Sequence, residues 1–460
     1  MISKDIAKAV LQKALSTGGN FAELFIENTK QNSISVINGK MDKSMSGVDF
    51  GLGLRIFNGF NAIYAYTNDL SESSLLKLAD TAAAAIHGKA NNVIINFAQV
   101  PVQNIHPVKI MPSSVPKKEI VDILKSASAS AFSFNPLISQ TSSTYIDELQ
   151  DVVIINSEGL WIEDRRVRTR ASVWSVASDG NEKQAGTHSP GASCGFEIFQ
   201  NIDFDDLARD SANIAVTMLK ADYAPKAKIP VIIDKGFGGV IFHEACGHSL
   251  EATAVAKDSS EFCGKLGTQI ASTKVTAIDD GTIPNFWGSI NIDDEGTKTK
   301  RTVLIENGIL KSFLVDRLNG ERMGMASTGS SRRQSYKFAP TSRMTNTFIQ
   351  AGDDLEKDII ASTECGLYAK KMGGGSVQTA TGDFNFAVSE GYMIRNGKIA
   401  EPVRGATLIG KGSEVLMNID KVGTIETQDA GVCGSESGAV PTNVGQPMIR
   451  VSELTVGGQN

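Results

Sequence analysis

The second half of this 460-residue chain is written in short strand-like runs punctuated by glycine. Turn signals stand at Glu306-Asn307-Gly308 and Arg395-Asn396-Gly397-Lys398, where Asn-Gly favours the positive φ angles of a tight hairpin. Glycine recurs in GLYAK and in KKMGGGSVQTATGDF. Many short strands joined by glycine bends do not lie flat. They curl into a strongly curved antiparallel sheet or a partly closed barrel. Short helices are expected near 353–361 and 411–418.

The first half reads differently. Ile2, Ile6, Val10 and Leu11 fall on one face of an opening helix that Gly18-Gly19 ends. Strand-like text follows in AELFIEN, SISVINGK and GVDFGLGLRIFNGFNAIYAYTN, with a hairpin signal at Asn58-Gly59. SESSLLKLADTAAAAIHG has a serine cap and a closing glycine, and PKKEIVDILKSASASAF is a third helix. Residues 140–178 return to strand, and DFDDLARDSANIAVTMLKA is a helix with acidic residues at its start. The polar, proline-bearing DYAPKAKIP then marks a boundary near 222–230. Strands and helices do not alternate as βαβ units, so the expected class is α+β. An N-terminal α/β domain over 1–222 is followed by a β-rich, barrel-like domain over 223–460.

The net charge of −6 leaves no basic footprint, which argues against nucleic acid or an anionic membrane surface as a partner. No window reaches the length of a membrane span, and the N-terminus lacks the apolar core of a signal peptide. Five scattered cysteines without a C-x-x-C pair suit a reducing compartment, and the expected location is the cytoplasm.

One stretch carries chemistry. FGGVIFHEACGHSLE, residues 237–251, sets His243, Glu244 and His248 in the order H-E-x-x-x-H. The helical zinc-peptidase motif H-E-x-x-H spaces its histidines four apart, on one face. At five apart, an ideal helix points the second ring about 140° away. A π-type widening absorbs the extra residue and realigns the rings, and Gly247 makes that distortion cheap. The expectation is a metal helix bulged near Cys246-Gly247. Glu244 would then serve as general base toward a metal-activated water, with a third protein ligand and one open position completing the site. Cys246 shares the face of His243 on a regular helix, Cys433 lies in a distant glycine-flanked loop, and Asp429 and Glu436 stand near Cys433; spacing does not choose among them. His87, His106 and His188 read as ordinary satisfied histidines, and Cys194, Cys263 and Cys365 as small core residues.

Two further segments admit two readings each. Gly373-Gly374-Gly375 could leave a strand edge open to an extended peptide, although sheet curvature is the plainer account. SSRRQSYKFAPTSRM could offer Arg332, Arg333, Tyr336 or Arg343 to an oxyanion, although a solvated loop is plainer.

HEACGHSLE, SRRQSYKFAPTSRMTNTFI, TATGDFNFAVSEGYMIRNGKI and VCGSESGAVPTNVGQP, in this order, resemble the TldD/PmbA family of metallopeptidases, historically called modulators of DNA gyrase. Possession of H-E-x-x-x-H puts the resemblance on the TldD side. The resemblance implies Zn2+ held by His243, His248 and Cys433, with Glu244 catalytic. It also implies a peptide substrate and a dimer, either a homodimer or a heterodimer with a PmbA/TldE-like subunit. The expected function is hydrolysis of short or unfolded peptides. The competing functions are a regulatory or binding protein with a structural metal site, and a metal amidohydrolase for non-peptide amides.

Overall fold

The computed structural model describes residues 2–90, 93–378 and 380–458. Its first sheet is built on two long hairpins. Strands Phe21–Ile37 and Lys40–Asn58 pair antiparallel, and Ile138–Asn156 lies on the other side of the first, followed by Leu160–Ser178. Shorter strands finish both edges, giving eight strands in all.

Alternation along these strands sorts their side chains. Ala22, Leu24 and Ile26, with Leu52, Leu54 and Ile56, pack beneath helices Lys4–Ala14 and Glu72–Ala83. Farther along the sheet, Ile34, Val36, Tyr145 and Val173 meet helices Lys117–Phe134 and Phe204–Lys220. Ser3 caps the first of these helices by accepting from the Ile6 N–H, and Asp203 caps the last by accepting from the Asp206 N–H, whereas the serine expected to cap Glu72–Ala83, Ser71, makes no side-chain cap hydrogen bond.

In the second half five strands close on themselves. Cys365–Gln378, Ala227–Ile233, Ile449–Gly457, Thr407–Lys411 and Asp383–Arg395 pair in that order, and the last pairs back to the first. The expected barrel-like curvature is therefore a closed barrel. Beside it stands a six-stranded sheet that includes Ala277–Asp280, Asn346–Ile349 and the hairpin Thr427–Ser435/Gly438–Gln446. One apolar cluster serves both, with Val231, Leu367 and Phe386 from the barrel and Leu304, Ile349 and Val444 from the sheet. The Asn307-Gly308 and Asn396-Gly397 turns have positive φ at both residues, 48° and 83° and then 50° and 71°. The predicted hairpin at Asn58-Gly59 is present, but Asn58 pairs with Asn61 and the loop is Gly59-Phe60.

The helix-free face of the first sheet lies against the second half through buried charge. Arg55 binds Glu23 at 3.0 Å and Glu295 at 2.6 Å. Arg333 binds Glu23 at 2.8 Å, and Arg166 binds Asp294 at 2.7 Å. This corrects the reading of SSRRQSYKFAPTSRM as a solvated loop, because Arg332, Arg333, Tyr336 and Arg343 are all buried. Tyr336 turns away from any catalytic role: its N–H donates to Glu27 and its hydroxyl lies 3.3 Å from Asp49, both on the first sheet. The segment is a plug between the halves, and its polar letters mark buried ion pairs rather than water. Cys365 also departs from expectation, being exposed, and none of the five cysteines forms a disulfide. No helix among the described residues is long and apolar enough to cross a membrane.

Candidate metal centre

Strand Ala227–Ile233 leaves the barrel and enters a helical segment whose winding changes three times. A 3-10 turn over Gly236–Gly239 passes to α at Val240–Phe242, to π at His243–Gly247, and back to 3-10 at His248–Leu250. The wide turn falls on the motif itself. It holds because the apolar side chains around it, Phe242, Ala245, Cys246 and Leu250, are sunk in the shared core. Gly247 sits where a Cβ would lie 2.2 Å from the Met344 sulfur, so any larger residue there requires that buried side chain to shift.

The widening brings the two imidazoles to one side, with ring centroids 5.2 Å apart. Cys433, from the hairpin strand Thr427–Ser435, completes a group of three buried donors. Its Sγ is 3.2 Å from Nε2 of His243 and 3.2 Å from Nε2 of His248. Two zinc bonds of ordinary length at a tetrahedral angle would separate N and S by roughly 3.5 Å, so the donor set fits such an ion. Burial alone would raise the Cys433 thiol, but charge and hydrogen bonding from His243 and His248 outweigh it and hold it at about 3. Such a shift favours the thiolate, the form that binds metal. Burial likewise opposes charge on His248, yet Glu251 and Cys433 overcome it and raise that ring well above the ordinary histidine value.

Glu244 lies at the rim of this group. Its side chain is 26% exposed, and its carboxylate is 3.7 Å from Nε2 of His248. It is the more open side of an otherwise buried cluster. The other ligand candidates go elsewhere. Cys246 faces an apolar pocket of Ile241, Ile349, Leu416 and Ile449, and burial raises its thiol far above the usual value. Asp429 accepts the Phe237 N–H at 2.7 Å and caps the first 3-10 turn. Glu436 is exposed in the hairpin turn.

Two residues at this site were not singled out as its supports by sequence. Glu251 lies 3.2 Å from Nδ1 of His248. Arg343 donates to the Cys433 carbonyl at 2.6 Å, to Ser437 Oγ at 2.9 Å and to the Gly438 carbonyl at 2.8 Å. The one sequence signal for Glu251 was its place three residues after His248, a helical spacing. The cysteine hairpin is also gripped just upstream: Arg170, from the first sheet, donates to the Ala430 carbonyl at 3.2 Å, and the Trp287 indole to the Gly431 carbonyl at 2.8 Å.

Comparison with known proteins agrees with this architecture. Family models described as the PmbA/TldA metallopeptidase C-terminal domain, central domain and domain 1 match residues 226–458, 110–219 and 22–86. A metalloprotease TldD homolog of Haemophilus influenzae is 35% identical over 450 residues, covering 96% of this chain and 93% of that protein. The chain belongs to the PmbA/TldD metallopeptidase family. Solved structures share its fold across nearly the whole length. A Thermotoga maritima protein labelled a modulator of a DNA gyrase superposes with TM-score 0.79 at 20% identity, covering 99% of this chain and all of that one. TldE of Thermococcus kodakarensis gives 0.77 at 16% identity, with 98% of this chain and all of that one covered. At those identities the likeness is one of fold. Within the PmbA/TldD family model for the C-terminal domain lie all three buried donors and Glu244.

Proposed function

We propose that this chain is a zinc-dependent peptidase acting on short or unfolded peptides, with His243, His248 and Cys433 as metal ligands and Glu244 as general base. The observation that carries the reading is the convergence of three buried donor atoms, all within 4.8 Å of one another, on a π-wound turn. Two imidazoles and a thiolate are a zinc-like donor set, and three protein ligands are the number that leaves a catalytic site its open position. Bound there, zinc would acidify water toward neutral pH and polarise a peptide carbonyl. Glu244, partly exposed beside the ligands, accepts the proton of the attacking water and returns it to the leaving amine. The buried His248–Glu251 contact keeps the Nδ1 proton on that ring and its Nε2 turned toward the thiolate.

Substrate entry has one structural support. Past Ala369, strand Cys365–Gln378 is paired only on the side of Asp383–Arg395 among the described residues, although Thr379 lies outside them. The same strand packs on the His243–Gly247 turn. An extended peptide adding to that edge would be recognised through its backbone, with little preference for sequence. Dimerisation, with a second copy or a PmbA/TldE-like subunit, would enclose the centre. The five unpaired cysteines favour a reducing compartment, the cytoplasm.

The test is Glu244→Gln. The variant is expected to keep zinc at the wild-type stoichiometry and to lose peptide hydrolysis by at least ~100-fold. Full turnover in that variant overturns the assignment.

A further inference from the structure

The three donor atoms come from two elements far apart in sequence, and one buried ion pair joins those elements. After the 3-10 turn His248–Leu250 the backbone becomes extended at Glu251, with φ −75° and ψ 128°, and bridges to Leu314. That change of direction throws the Glu251 side chain back beside the ring of His248. Glu251 is 5% exposed, and Arg343 is fully buried. The Glu251 Oε1 and Arg343 Nε atoms lie 3.8 Å apart, and neither has a hydrogen-bond partner. The remaining guanidinium nitrogens are committed to the carbonyls of Cys433 and Gly438 and to Ser437 Oγ. His243, by contrast, has a buried Nδ1 without a partner. The two histidines are therefore supported unequally.

We propose that Glu251 and Arg343 act together as positioning residues for the metal, one orienting His248 and the other holding the Cys433 hairpin at the distance the ion requires. This rests on the assignment of His243, His248 and Cys433 as ligands. A carboxylate on the far nitrogen of a ligating histidine fixes its tautomer and increases its basicity. Arg343 sets a buried guanidinium opposite that carboxylate, 3.8 Å away, so that neither group faces the apolar interior alone. Because the two charges face each other, removal of either loosens both ligand-bearing elements at once.

Zinc affinity of the full-length protein, measured by competition with a chelator of known affinity, is the readout. Glu251→Gln is expected to weaken zinc binding by ~10–100-fold. Arg343→Met is expected to weaken it comparably, and the double variant by no more than the worse single. In the cobalt-substituted protein, Glu251→Gln shifts the visible absorption bands, which a purely structural loss elsewhere would leave in place. Wild-type zinc affinity in Glu251→Gln overturns the proposal, as does full additivity in the double variant. If either single variant fails to fold, the double variant leaves no buried charge unpaired, and wild-type zinc affinity in it is equally fatal. The ligand assignment is judged separately. His243→Ala and Cys433→Ser must lose zinc, and if they bind it as tightly as wild type, that assignment has failed rather than this one.

Discussion

The first sheet and the barrel are made from similar strand text, yet they distribute backbone irregularity very differently. Strands Phe21–Ile37 and Ile138–Asn156 stay in register from Glu23–Asn156 to Ile37–Ser142 without a shift. Strand Cys365–Gln378, against Asp383–Arg395, slips register repeatedly between Ala369 and Gly375. The helix that follows the first barrel strand changes winding from 3-10 to α to π within Gly236–Gly247. Each slip and each change of winding re-aims side chains that a regular element would disperse. The irregular half is where donors converge, and the regular half is a wall against which that irregularity is held. Polar burial follows the same division. The wall's charges Glu23 and Arg55 point across the seam to Arg333 and Glu295, and only in the other half do buried charges, Glu251 and Arg343, also stand beside the donors.

The seam is where the comparison is most easily broken. Arg55→Met leaves Glu23 and Glu295 without that cation in a dry interface, and should cost about 3–5 kcal/mol in urea unfolding. A loss below about 1 kcal/mol would mean that the halves do not depend on each other. Next comes the π turn. Gly247→Ala forces a methyl into the Met344 sulfur, and overpacking of this kind costs about 1–3 kcal/mol. Adding Met344→Ala should recover part of the loss in a thermal melt; no recovery would locate the strain elsewhere.

A smaller effect belongs to the surface of the irregular half. Burial opposes ionisation of Asp354, but hydrogen bonds from Lys274, the Val422 N–H and Lys421 outweigh it and hold the carboxyl at about 2. Its folded value lies below its unfolded value of about 3.9, so its contribution is complete above about pH 4 and disappears as pH falls through about 2. Asp354→Asn should therefore cost about 1 kcal/mol at pH 7, and the difference from wild type should close toward pH 2 in denaturant titrations. An equal gap at pH 7 and pH 2 would rule out that linkage. Least of all should matter Met45→Thr, on the exposed edge of Lys40–Asn58, where Met45 is 60% exposed. Its change in unfolding free energy should stay within about 0.5 kcal/mol. A larger loss would show that this stretch is less free of contacts than the regular sheet implies.

Much of this was legible in the sequence because it was local. Asn-Gly turns, the strand text of 140–178 and the curvature of the second half each depend on residues a few positions apart. The π turn was legible because H-E-x-x-x-H is incompatible with two converging rings on an ideal helix, and Gly247 marked where the winding had to yield. What the residues alone did not supply was pairing across distance. Cys433, Cys246, Asp429 and Glu436 were equivalent candidates until packing sent Cys246 into the core and Asp429 to a helical cap. Arg333 and Tyr336 looked solvated because their partners, Glu23 and Glu27, lie more than 300 residues upstream. Arg343 looked solvated for the same reason, since it is buried against Glu251 and the far end of the Cys433 hairpin.

Arg170 carries a consequence of its own. It belongs to the regular sheet, yet it grips the peptide carbonyl three residues ahead of Cys433, and Trp287 takes the next one. The sulfur's place is thus indexed to a strand some 260 positions away. Among the described residues the histidine turn has no such tie and is held instead by the apolar core it shares with the barrel. The two donor-bearing elements therefore answer to different parts of the molecule, the histidine turn to the core around it and the cysteine strand to the first sheet as well.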